Sequence, residues 1–109
     1  MTKRICITGA AGNLGSLTAL HLYEHSEHQL HLMIHKRPFS HSITSDTNRV
    51  KVFACDLAHK DNLKDCLEGV DELIHYAGVL FQAGPQDFLP TTNFKYFRNL
   101  VDAAREAGV

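Results

Sequence analysis

Between residues 8 and 15 the chain reads Thr8-Gly9-Ala10-Ala11-Gly12-Asn13-Leu14-Gly15, with glycines at every third position. The chemistry such a stretch offers is anion binding. Backbone N–H groups at the start of a helix have no partner within it, and the helix dipole adds positive potential there. A pyrophosphate can use both if no side chain blocks its approach. Gly9 permits a tight turn, Gly12 lets the backbone come close to the phosphates, and Gly15 lets the helix pack on the preceding strand. Ala11, Asn13 and Leu14 complete the set that would face the anion. The alternative is a glycine-rich turn with no ligand.

A second group stands twenty residues further on. His35, Lys36 and Arg37 occupy the place where an Asp or Glu would meet the 2′-hydroxyl of an NAD ribose, and no carboxylate occurs there. Two cations and an imidazole suit a 2′-phosphate instead. This favours NADP over NAD, unless the charges are simply solvated at a strand end.

These residues need particular elements to position them. Lys3 to Thr8 is rich in isoleucine and reads as a strand buried on both faces. A helix from about Asn13 to His25 follows, with Leu14, Leu17 and His21 at helical spacing. Gln29 to His35 alternates as a second strand. Lys36 to Asn48 holds Pro38 and many Ser and Thr residues, so it reads as a loop with room for one short turn. Val50 to Cys55 is a third strand. A helix from about Lys60 to Leu67 stops at Gly69. Asp71 to Tyr76 is a fourth strand, and a loop carries Gly84, Pro85 and Pro90. A last helix spans about Thr92 to Ala107, with Phe94, Phe97, Leu100, Val101 and Ala104 as its apolar stripe. Right-handed crossovers then predict an α/β fold: a Rossmann-like three-layer parallel sheet of about four strands in the order 3-2-1-4. It ends before a fifth strand.

With the loop in this setting, the sequence resembles the extended short-chain dehydrogenase/reductase family, the NAD-dependent epimerase/dehydratase group. Residues 8–15 match its TGxxGxxG signature. Cys55-Asp56-Leu57 resembles the family's Asp-Leu after the third strand, which implies that the Asp56 carboxylate meets the adenine amino group. The run Val70 to Gly78, ending Tyr76-Ala77-Gly78, resembles the fourth strand beside the cofactor ribose. Asn93 and the run Asn99 to Val109 resemble the helix that follows. Tyr96-Phe97 depart from the pattern, because the family usually has a small Gly-Thr pair there.

The resemblance implies a parent enzyme that moves hydride to or from a nicotinamide on a sugar nucleotide or similar alcohol or ketone. The family's catalytic Ser/Thr and Tyr-x-x-x-Lys have no counterpart here: Tyr23, Tyr76 and Tyr96 are followed four residues later by Glu27, Leu80 and Leu100. Residues 1–109 are therefore expected to be the N-terminal part of an NAD(P)-binding domain, without the substrate and catalytic part and without activity of their own. A non-catalytic NAD(P)-binding sensor or structural module is the other reading.

Composition sets the outer bounds. At 109 residues the chain is one domain, 44% apolar and 21% charged, with a net charge of −1. No basic excess points to nucleic acid. No apolar run approaches the ~18 residues of a membrane span. The segment before the glycines is too short for a signal-peptide core. Three cysteines without CxxC spacing suit a reducing cytoplasm. Of eight histidines, His21, His25 and His28 share helical spacing and His31 and His35 alternate on a strand. With no cysteine or carboxylate set at ligand spacing, they read as a polar face, with His25 and His28 near the helix C-terminal dipole rather than at a metal site. His75, at the end of the fourth strand, either packs or touches the ribose. An open fourth-strand edge, carrying Leu73 and Ile74, predicts self-association there.

Overall fold

The computed structural model describes residues 2–77 and 89–109, with backbone alone over 89–93. Four strands form one parallel sheet: β1 (Arg4–Thr8), β2 (Gln29–Ile34), β3 (Val50–Ala54) and β4 (Glu72–His75). Their order is β3-β2-β1-β4, as expected from right-handed crossovers. The register sets Ile5 beside Leu30 and Glu72, and Leu30 beside Val50.

Alternation along β1 divides the core in two. Ile5 and Ile7 join Leu30, Leu32, Ala19 and Val50 on one face. Cys6 joins Met33, Leu63, Leu67 and Leu100 on the other. Helix α1 (Asn13–His25) covers the first face. The second is covered by α2 (Lys64–Leu67), entered through a 3-10 turn at Lys60–Leu63, and by α3 (Leu89–Ala107). The expected loop between β2 and β3 does hold one short turn, Ser42–Ser45, which buries Ile43.

Three expectations are corrected. In α1, Leu14 and Leu17 are 64% and 63% exposed, while Gly15 and Ala19 are buried. The helix approaches the sheet on its smallest residues, so the leucine spacing marks its outer face. In α3, Leu100 is buried as expected, but Phe94 and Phe97 are exposed at 65% and 50% and Ala103 turns inward instead. The helix also begins earlier than expected. Pro90 lies in its first turn, where a missing N–H costs nothing. Gly84 and Pro85 lie outside the described residues.

His25 stands in the last turn of α1, as expected, and the carbonyls near that end are taken by Arg49. Its guanidinium donates to the carbonyl oxygens of Tyr23, Ser26 and His28 at 2.8–3.2 Å and stacks 4.4 Å from the Tyr23 ring. His28 Nδ1 accepts from the Lys3 amide, and the His21 and His25 rings lie against each other, 4.4 Å apart. Among the described residues no helix is long and apolar enough to cross a membrane.

Candidate dinucleotide site

The turn after β1 is built by glycine for two separate reasons. Gly9 has φ +64, a left-handed backbone that side chains disfavour, and a Cβ there would sit 2.9 Å from the Ala77 nitrogen. At Gly15 a Cβ would lie 2.1 Å from the Gly9 carbonyl oxygen and 2.8 Å from the Ala10 Cα. The helix thus rests directly on the turn. Gly12 is different, since its Cβ would meet only the Gly9 oxygen, at 3.3 Å. Gly12 is the residue from which α1 starts. Among the described residues no side chain caps the helix, and its first turn holds no acidic residue. Its opening N–H groups and dipole are left for an anion.

Thr8 ties this turn to β4. Its buried hydroxyl accepts from the amides of Tyr76 and Ala77 at 3.0 and 3.1 Å and lies 2.7 Å from His75 Nδ1. With both lone pairs engaged, the hydroxyl must give its one proton to Nδ1. His75 is therefore neutral and protonated at Nε2, and its ring packs 5.6 Å from that of Phe97.

Burial holds His75 below the ordinary histidine value of 6.5. Burial holds His31 low as well, against the opposing pull of the Cys66 carbonyl oxygen 2.7 Å from its Nδ1. The unfolded chain takes up protons that these folded imidazoles refuse. Their contribution to stability is full above the ordinary value and is lost as pH falls through the folded values. The urea midpoint should be lower at about pH 5.5 than at about pH 7.5. His75→Asn, which keeps an acceptor for Thr8 but cannot titrate, should lose less over that range. Equal losses in both proteins would refute the assignment.

A cavity of about 410 Å³ opens at the glycine turn and runs across the carboxyl ends of β1, β2 and β3. That is the position and size expected of a ligand cleft in an open parallel sheet. Of the expected residues, Gly9, Ala11, Gly12, His35, Lys36, Arg37, Asp56, Leu57 and Ala77 line it. Four do not. Asn13 and Leu14 project to solvent, Gly15 is buried beneath the turn, and the Tyr76 hydroxyl accepts from Thr18 at 3.0 Å. Gly78 and the side chain of Asn93 lie outside the described residues.

Sequence reasoning missed Met33, Ile34, Cys55 and Tyr96 as lining residues. Tyr96 carried a signal, as a bulky residue where a small one was expected. Met33 and Ile34 carried none, being ordinary strand residues whose backbone happens to end at the cleft.

At the far end, Asp56 Oδ1 accepts from the Ala58 amide at 2.9 Å, which leaves Oδ2 toward two imidazoles. His35 Nε2 lies 3.8 Å from it and His59 Nε2 3.9 Å. Asn99 fastens the segment to α3 by donating to the Leu57 carbonyl at 2.8 Å. The cleft therefore offers helix-start amides that no described side chain caps at one end, and Lys36, Arg37 and a fixed carboxylate at the other. A molecule with a central pyrophosphate and a base with donor groups fits this arrangement, and the glycines leave room for its phosphates.

Comparison with known proteins agrees with this geometry. A family model described as the NAD dependent epimerase/dehydratase family matches residues 5–109. The chain is 32% identical over 118 residues to a uronate dehydrogenase of Pseudomonas syringae pv. tomato, covering 98% of this chain and 37% of that protein. It is 24% identical to an NAD-dependent glucose-6-phosphate dehydrogenase of Haloferax volcanii, over 100% of this chain and 41% of that one. A solved uronate dehydrogenase from Agrobacterium tumefaciens, a variant complexed with NAD, superposes with a TM-score of 0.72 at 27% identity, over 99% of this chain and 38% of that one. The chain thus spans well under half the length of these relatives.

Proposed function

The chain belongs to the NAD-dependent epimerase/dehydratase family, and from that premise we propose that residues 1–109 are the cofactor-binding portion of an oxidoreductase that uses NADP in preference to NAD. The whole protein would act by hydride transfer on an alcohol or ketone of a sugar or sugar acid, the class that the uronate dehydrogenase relatives suggest. The cofactor supplies the hydride acceptor or donor. The chain's own residues bind and orient it. The α1 amides receive the pyrophosphate over Gly9 and Gly12, Asp56 accepts from the adenine amino group, and Lys36 and Arg37 hold the 2′-phosphate. No Tyr-x-x-x-Lys occurs in the sequence, so the proton transfer that hydride chemistry requires would come from elsewhere in the whole protein.

The observation that carries this reading is the continuous cleft from the uncapped start of α1 to Asp56, Lys36 and Arg37. The relatives' named cofactor is NAD, and the preference for NADP rests on the two cations at the end of β2. Competitive titration decides it. NADPH should displace NADH from the chain at lower concentration, and the opposite order would overturn the role given to Lys36 and Arg37.

A further inference from the structure

One wall of the cleft departs from the pattern that the sequence resembles. Where a small Gly-Thr pair is usual, α3 carries Tyr96-Phe97, and the two rings take different positions. Phe97 is exposed and lies beside His75, 5.6 Å from its ring. Tyr96 is half-buried, packs against the core cluster that contains Met33, Cys55 and Leu57, and lines the cavity. The core supports its ring, and part of the side chain borders the cleft. Two contacts hold α3 in this place. Asn99, one turn further along the same side of the helix, donates to the Leu57 carbonyl at 2.8 Å. Near the end of α3, Glu106 accepts from Lys60 at 2.6 Å. Both run to the segment after β3, which carries Asp56.

A purine has a polar edge and two apolar faces, and each needs a partner. Asp56 can take the edge. Met33, Ile34 and Leu57 give the surrounding wall an apolar character. Among the described residues, His35 and Tyr96 bring the only rings to that wall. The His35 imidazole is engaged at the edge, 3.8 Å from the Asp56 carboxylate, which leaves the phenol ring for a face. We propose that Tyr96 is a binding residue for the purine base of the dinucleotide, its ring set against one face of the base while Asp56 meets the edge. The proposal rests on the dinucleotide reading of the cleft but not on the choice between NADP and NAD, since both carry adenine. Aromatic rings stack on bases through the π-face that every base has. Tyr96 therefore adds affinity, and the choice of base stays with Asp56.

The test titrates the chain by NMR with 5′-AMP and, separately, with ribose 5-phosphate, which has the sugar and phosphate without the base. Tyr96→Ala should weaken AMP binding by about tenfold, toward the lower part of the range for a base stacked on an aromatic side chain. It should leave ribose 5-phosphate binding unchanged. Tyr96→Phe, which keeps the ring, should bind AMP as the parent does. In the unsubstituted chain the Tyr96 ring protons should move upfield with AMP and stay in place with ribose 5-phosphate, a reading that needs no variant to fold. Equal AMP affinity in Tyr96→Ala and the parent, or Tyr96 ring protons that ignore AMP bound in the cleft, would overturn this role alone. AMP that does not bind in the cleft at all would overturn the dinucleotide reading together with it.

Discussion

Gly15→Ala should lower the melting temperature by more than ten degrees and abolish dinucleotide binding with it. The added Cβ would stand 2.1 Å from the Gly9 oxygen and 2.8 Å from the Ala10 Cα. Both neighbours are backbone, so no side chain can swing away. Relief means lifting α1 from the turn, which uncovers Ala19 and the sheet face it packs on. Overpacking ordinarily costs about 1–3 kcal/mol, and a clash this close lies at or above the upper figure. In a domain of this size ~3 kcal/mol corresponds to roughly 12 °C or more. Gly12→Ala separates structure from ligand. Its Cβ meets one oxygen at 3.3 Å, so the melting temperature should move by only a few degrees, while the methyl group enters the phosphate approach and weakens binding. Thermal melts with and without NADPH measure both. A Gly15→Ala protein that melts like the parent would show that the helix does not rest on the turn as described.

The second large effect is on cofactor choice. Replacing Lys36 and Arg37 together by alanine should weaken NADPH binding by about ten- to a hundredfold. Each charge-assisted bond to a phosphate is worth ~1.5–3 kcal/mol when sheltered. Both residues are exposed in the cleft wall, and screening brings each nearer ~1 kcal/mol. NADH, which lacks the 2′-phosphate, should change by less than about threefold, or ~0.7 kcal/mol, half of the tenfold step that 1.4 kcal/mol represents. The order of preference should therefore reverse in the double variant. Parallel loss of both cofactors would mean that the two residues act on the fold or on the pyrophosphate, not on the 2′-position.

The parallel sheet and its order were legible because every strand carries its own apolar run and every crossover has one allowed hand. The glycine turn was legible because two of its positions, Gly9 and Gly15, tolerate only glycine for reasons local to a strand–turn–helix. The faces of the helices were not. Leu14 and Leu17 have the spacing of a buried stripe, yet Gly15 and Ala19 face the sheet, since close approach selects small residues that give no hydrophobic signal. Phe94 and Phe97 misled in the same way on α3. Within the site, side chains named by motif fell on the cleft where the motif acts through a strand end, as at Asp56 and Ala77. Tyr76 did not, because just past the end of β4 its hydroxyl turns to Thr18. His59 was missed because its pairing with Asp56 depends on the turn between them, which the sequence pattern does not display.

The most direct measurement is backbone amide NMR of the labelled chain during titration with NADPH. The largest saturable shifts should fall on Ala11, Gly12, Asn13 and Leu14, at the uncapped start of α1, with a second group at His35 to Arg37 and Asp56. Saturable shifts confined to other surfaces, or none at millimolar NADPH, would contradict a dinucleotide site at the glycine turn.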